Sequence, residues 1–156
     1  AFVRAYQATD GSARSSDQNT RSGYMRAFRE APRGQLEAEL LAHDAAGLRL
    51  VYAGLPDASI DAHVRDMSEP GALVAAVDWY RAMSARASAA VPACRVPTLY
   101  VWSDHDPAIG REAAVATGQH VAGSYRFVTL DGVGHWIPEQ ASAAFTTLLL
   151  DHVEQR

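Results

Sequence analysis

The sequence predicts an α/β fold in which a helical first part precedes strands of a parallel sheet covered by helices. Three observations predict it. From residue 98 onward strand-like and helix-like runs alternate, strand, helix, strand, helix, the order that a helix-covered parallel sheet requires. The first 90 residues carry only helical periodicity and capping signals. Polar, glycine-containing clusters follow each strand run directly, where open parallel sheets gather ligands and catalytic groups.

Residues 10–23, DGSARSSDQNTRSG, are rich in turn-forming types and read as a linker. Residues 24–53 are helix-prone, with Leu36, Leu40 and Leu41 on one face before Gly47 interrupts, which predicts two or three short helices. Next come Asp57 or Ser59 as a cap, a short helix, a break at Pro70-Gly71 and a longer helix over about 72–87. Residues 98–102, TLYVW, are β-branched and aromatic, bounded by Pro97 and a polar cluster, and predict the first strand. GREAAVATGQHVAG predicts a helix starting near Ala108. SYRFVTLDG predicts the second strand, and IPEQASAAFTTLLLDHVEQR a helix with Pro138 in its first turn. Two strands do not make such a sheet alone, so further strands are expected from elsewhere. No period of 20–50 residues repeats, which excludes a solenoid.

Composition narrows the function. A chain of 156 residues with 48% hydrophobic content can bury a core. Its net charge of -4, with both signs spread along the chain, offers no basic stripe for nucleic acid or an anionic membrane. All 14 basic residues are Arg, so Schiff-base chemistry on a lysine is excluded. Cys94 is the only cysteine, which leaves no internal disulfide and no Cys-rich metal site and points to a reducing compartment. No apolar run approaches a span of about 20 residues, and AFVRAYQATD lacks the pattern of a signal peptide. A cytoplasmic protein without nucleic-acid or membrane partners is expected. The start at Ala1, without Met, suggests a processed or excised piece.

The chemistry concentrates in SDHDP after the first strand and GVGHW after the second. Neighbouring parallel strands end about 5 Å apart, so an acid on one loop can meet a histidine on the next. Asp106 and His135 are the candidate pair: the carboxylate would accept a ring N–H, fix the tautomer and stabilise the imidazolium while the other nitrogen takes a proton. Asp104 and Asp106 could instead cap the following helix, and His135 could be a hydrogen-bonded turn residue. Gly132 and Gly134 would let the backbone turn sharply between them. His105, flanked by two aspartates, invites a metal reading, but consecutive side chains of one loop point in different directions. No metal is expected.

VPTLYVWSDHDPAIG and LDGVGHWIPEQ resemble the last two strand-and-loop units of the α/β-hydrolase superfamily, and the Gly-His-Trp form is similar to epoxide hydrolases and haloalkane or haloacetate dehalogenases. There the acid follows Gly-Xaa-Xaa-Asp, which falls on Asp106; Ser103 stands where the Gly is usual. GALVAAVDWYRAM resembles the cap stretch of epoxide hydrolases that ends in Trp-Tyr-Arg, which makes Tyr80 the donor to the epoxide oxygen. YMRAFREAPRGQLEAEL is similar to the segment of the second cap tyrosine, which falls on Tyr24, with Ala27 at a position where an aromatic is common and Pro32 displaced by one. Ordinary helix packing is the other reading of both tyrosines.

The resemblance implies the C-terminal part of an α/β-hydrolase fold with a helical cap. Residues 1–15 would lead in from the core domain, 16–92 form the cap, and 93–156 carry the acid and His loops. The superfamily's nucleophile sits on a small-residue elbow, and no such pentapeptide occurs in this chain. An upstream hydrolase portion, as a segment or partner chain, would therefore complete the parallel sheet and bring the nucleophile. The implied activity is hydrolysis of a small apolar epoxide without metal or organic cofactor. A Ser-type esterase or lactonase, a dehalogenase of the same fold, and a non-catalytic ligand-binding relative remain alternatives.

Overall fold

The computed structural model describes residues 16–83 and 91–154. The chain divides into two compact units, Gly23–Met83 and the residues on either side of it. The expected lead-in at 1–15 and the helical turn expected beyond Met83 lie outside the described residues.

The unit Gly23–Met83 is all-helical, with α2 Gly23–Glu30, α3 Gln35–Val51, α4 Asp57–Met67 and α5 Ala72–Ala82. Ala45, Leu48, Leu73 and Val77 are buried at its centre, with Phe28, Leu36, Leu40 and Leu41 packed against them. These apolar side chains recur at the helical spacing that the sequence displays, and their burial is the main force holding the unit together. The expected break at Gly47 falls earlier: α3 is interrupted where His43, Asp44 and Ala45 take φ of 52°, 57° and 55°. Such left-handed backbone costs roughly 1–2 kcal/mol per non-glycine residue. The Arg49 side chain, which donates to the Asp44 carbonyl at 2.9 Å, and the burial of Ala45 offset that cost. Pro56, not Asp57 or Ser59, occupies the N-cap of α4, leaving Asp57 in the first turn, where its charge suits the helix dipole. The break at Pro70-Gly71 is present, with Gly71 at φ 85° before α5.

The other unit holds α1 Ser16–Arg21, β1 Thr98–Ser103, α6 Arg111–Ala116, a 3-10 turn Thr117–His120, β2 Tyr125–Leu130, α7 Ile137–Gln140 and α8 Ser142–Glu154. The strands are parallel, in register from Thr98 opposite Tyr125 to Ser103 opposite Leu130. Both therefore end at the same level, and the loops that follow them start side by side. Among the described residues the sheet has these two strands. Residues 16–21 are not the expected linker but a helix, opened by Asp17 and braced by an Arg21–Asp17 ion pair one turn apart at 2.7 Å. The last helix is also divided, because Ala141 leaves helical geometry at φ -136° and ψ 40°.

Candidate active site

The site is built by the two strand-end loops. β1 delivers Asp104, His105 and Asp106, and β2 delivers residues 131–135. The loops are laced together by backbone bonds, from the Asp104 amide to the Leu130 carbonyl at 3.2 Å and from the His105 amide to the Val133 carbonyl at 3.1 Å. Side chains add to this. Ser103, fully buried, donates its hydroxyl to the Gly134 carbonyl at 2.6 Å, and the Asp104 carboxylate accepts the Gly132 amide at 2.7 Å. Gly132 takes φ 72°, a left-handed turn that glycine adopts without strain. Gly134 is not in that region; its missing side chain makes room for Gln140, whose Oε1 would lie 2.9 Å from a Cβ.

Asp106 and His135 meet. The His135 Nδ1 lies 3.0 Å from both carboxylate oxygens of Asp106. A carboxylate only accepts, so Nδ1 carries the proton and Nε2 is left to act as a base. Asp106 is 4% exposed, whereas the His135 side chain is 38% exposed: the carboxylate is buried and the imidazole reaches solvent. Asp106 does not cap the following helix, whose N-cap is Gly110 without a side-chain bond; its Oδ1 instead accepts the amides of Ala108 at 2.7 Å and Ile109 at 3.0 Å in the loop before that helix. That capture delays the helix expected near Ala108 to Arg111. Asp104 and Asp106 thus serve different partners.

The electrostatics follow from these contacts. Burial pushes the Asp106 carboxyl up, but the hydrogen bonds from His135, Ala108 and Ile109 outweigh it and hold its pKa below the ordinary aspartate value. The hydrogen bond to Asp106 raises the His135 pKa above its ordinary value against the opposing effect of burial. Tyr100, on β1, is pushed upward by burial and by the Asp106 charge.

Tyr24 and Tyr80 meet in the all-helical unit. Their ring centroids are 6.0 Å apart in an edge-on arrangement, and Phe28 lies against both, 5.6 Å from Tyr24 and 5.1 Å from Tyr80. The residue after Tyr80 anchors it: Arg81 donates to Glu37 at 2.7 Å and Asp78 at 3.0 Å, and Glu37 also accepts the Gly34 amide at 2.8 Å. The Arg81 hydrogen bond leads in holding the Glu37 carboxyl below its ordinary pKa. Among the described residues no cluster of three or more His, Cys, Asp or Glu side chains could hold a metal, and no helix is long and apolar enough to cross a membrane.

Sequence reasoning missed Gln18, which is 4% exposed although it lies in the supposed linker. Its Oε1 accepts the Gly110 amide at 2.7 Å, and its Nε2 donates to the Ala108 carbonyl at 3.0 Å, on the loop that carries Asp106. The signal available was Ser16-Asp17 followed by Arg21 one turn later, a helix opening with an i,i+4 ion pair.

No protein-family profile matches the sequence. The chain is similar to the AB hydrolase superfamily protein YfhM of Bacillus subtilis, 29% identical over 89 residues that make up 56% of this chain and 31% of that protein. It is also similar to epoxide hydrolase 3 of Mus musculus, 31% identical over 87 residues, 55% of this chain and 24% of that protein. Among solved structures, a mutant epoxide hydrolase from Bacillus megaterium in complex with its diol product superimposes with a TM-score of 0.76 at 14% identity. That match covers 97% of this chain and 56% of the other. The chain thus spans about half the length of that structure, and its sequence matches take in less than a third of either relative. In fold this chain is thus similar to part of an α/β hydrolase, and its sequence relatives include proteins named AB hydrolase superfamily protein and epoxide hydrolase.

Proposed function

We propose that the complete protein hydrolyses a small apolar epoxide to a vicinal diol, with this chain supplying the water-activating pair and the cap tyrosines. The observation that carries the reading is the His135–Asp106 hydrogen bond across adjacent strand-end loops. The sequence similarity to a protein named epoxide hydrolase supports the substrate class. In the first step a carboxylate oxygen of an aspartate on the upstream hydrolase portion attacks an epoxide carbon, the C–O bond breaks, and the alkoxide takes a proton from Tyr80 or Tyr24. In the second, His135 takes a proton from water through Nε2. The hydroxide adds to the ester carbonyl, collapse releases the diol and restores the carboxylate, and the proton held by His135 returns through solvent to the tyrosinate left by the first step. Asp106 stabilises the imidazolium throughout. The steps use no metal or organic cofactor.

The test is to trap the ester. With His135→Ala in the complete protein, an aryl glycidyl ether should add its whole mass to the polypeptide, because ring opening expels no leaving group. An aryl glycidyl ether carries neither halide nor ester, so a dehalogenase or Ser-type esterase of the same fold would form no adduct with it; parallel trapping with a haloalkane would add that substrate less its halide, and with an aryl ester only the acyl group. Diol formation with no covalent adduct in the variant would overturn the proposed order of steps.

A further inference from the structure

The helix α1 sits on the loop that carries the acid. Gln18, nearly inaccessible, bridges two backbone groups of that loop, the Gly110 amide at 2.7 Å and the Ala108 carbonyl at 3.0 Å. The Arg21 guanidinium donates to the main-chain carbonyl of Asp106 itself, and its other end is fixed by Asp17 at 2.7 Å. The loop has made room for this. A Cβ on Gly110 would lie 2.9 Å from the Asp17 carboxylate and 3.2 Å from the Gln18 side-chain oxygen, so α1 approaches as closely as it does because residue 110 is glycine. Gln18 Nε2 also reaches the Ser22 hydroxyl at 2.8 Å, which ties the end of the helix to the same side chain.

From these contacts we infer that Gln18 and Arg21 are positioning residues for the catalytic acid, holding the 106–110 loop so that the Asp106 carboxylate faces His135. The Asp106 carboxylate shares itself among His135, Ala108 and Ile109, so its direction depends on the path of the backbone from 106 to 110. From inside, the loop is held by those bonds and by Trp102, whose indole N–H donates to the Ile109 carbonyl at 3.0 Å. From outside it is held by Gln18 and Arg21. Without the outer clamp the Ala108 and Ile109 groups are free to shift, and a shift of about 1 Å in a catalytic group can cost on the order of a hundredfold in rate.

The inference rests on the proposed function for its catalytic consequence, but its geometry is tested without turnover. In the complete protein the His135 imidazole is titrated by NMR in wild type, Gln18→Met, Arg21→Met and Asp106→Asn. Asp106→Asn marks the midpoint of a histidine without its carboxylate. Gln18→Met is expected to move the His135 midpoint toward that value, and Arg21→Met to move it the same way by less, with both variants retaining wild-type circular dichroism. If Gln18→Met does not fold, Arg21→Met, whose side chain is partly exposed, decides alone. Folded variants that titrate like wild type would overturn the inference and leave α1 a packing element. With an epoxide substrate, kcat should fall about tenfold or more while KM is unchanged. Absence of any turnover in wild type would refute the proposed function while leaving the titration to judge the clamp.

Discussion

The Gly132 amide donates to the Asp104 carboxylate at 2.7 Å, so of two carboxylates standing two residues apart one fastens the histidine's loop and the other faces the histidine itself. Sequence spacing alone allowed either aspartate to pair with His135. The register of the strands decides between them, because Ser103 opposite Leu130 brings Asp104 level with the turn and Asp106 level with the ring.

Asp106→Asn and His135→Ala are expected each to remove turnover in the complete protein, by about 10⁴ for the asparagine change if it behaves like other triads. An asparagine neither fixes the imidazole tautomer nor stabilises its positive charge. Asp104→Asn keeps an oxygen to accept the Gly132 amide and should cost about 1 kcal/mol of stability with little change in rate. Steady-state kinetics with thermal melts on the three variants checks this. A larger rate loss from Asp104→Asn than from Asp106→Asn would reverse the assignment.

The pH dependence follows from the same pair. His135 has its pKa raised above 6.5 in the folded chain, so the base is neutral only above that raised value, and kcat should fall on the acid side with a midpoint above 6.5. For stability the signs are opposite for the two partners. The raised histidine stabilises the fold fully below 6.5, and that contribution is lost as pH rises through its folded pKa. The depressed Asp106 contributes above 3.8 and loses its contribution as pH falls through its lower folded value. The contribution of the pair is therefore greatest between these limits. Denaturant melts at pH 5 and pH 9 should show the histidine's part lost at the higher pH in wild type and absent at both in His135→Ala.

Tyr80→Phe and Tyr24→Phe keep the rings that pack against Phe28 and should leave the melting temperature unchanged. On the proposed mechanism each removes a hydrogen bond that would strengthen as the epoxide oxygen becomes an alkoxide, an effect of about 2 kcal/mol by comparison with single oxyanion donors. The loss should be greater for Tyr80, which the Arg81 contacts to Glu37 and Asp78 hold in place, than for Tyr24, which is 40% exposed. Rates on an epoxide and an ester substrate measure it. Equal activity of Tyr80→Phe and wild type on the true substrate would favour a Ser-type or halide-displacing enzyme of the same fold.

Much of this was legible in the sequence because it depends on local chemistry. Strand and helix runs keep their periods, and an Asp and a His at successive strand ends meet because parallel register puts them there. What the sequence hid depends on long-range contact. Residues 16–21 look like a linker, since a polar hexapeptide has no apolar face to announce a helix. Its role emerges only when Gln18 reaches Gly110, 92 positions away. The left-handed turn at His43–Ala45 was hidden for the same reason: glycine normally marks such a turn, and here Arg49 and burial of Ala45 hold it without one.

The sheet, of two strands among the described residues, motivates the last prediction. β1 and β2 pair with each other, and a sheet of this kind is stable when further strands pair along its edges and helices cover its faces. On α8, which packs against β1, Leu149, Leu150 and Val153 remain 43%, 54% and 54% exposed, and Val115 on α6 is 54% exposed. The proposed occupant of these surfaces is the upstream hydrolase portion with the remaining parallel strands and the nucleophile. Residues 1–156 expressed alone should therefore show fast amide exchange in β1 and β2 and no turnover. Co-expression with the upstream portion should yield a one-to-one assembly with protected strands and activity, through an interface as apolar as a domain core. A monodisperse, cooperatively unfolding and active 16.8 kDa chain would sink this expectation, and the nucleophile would then have to be one of its own serines or aspartates.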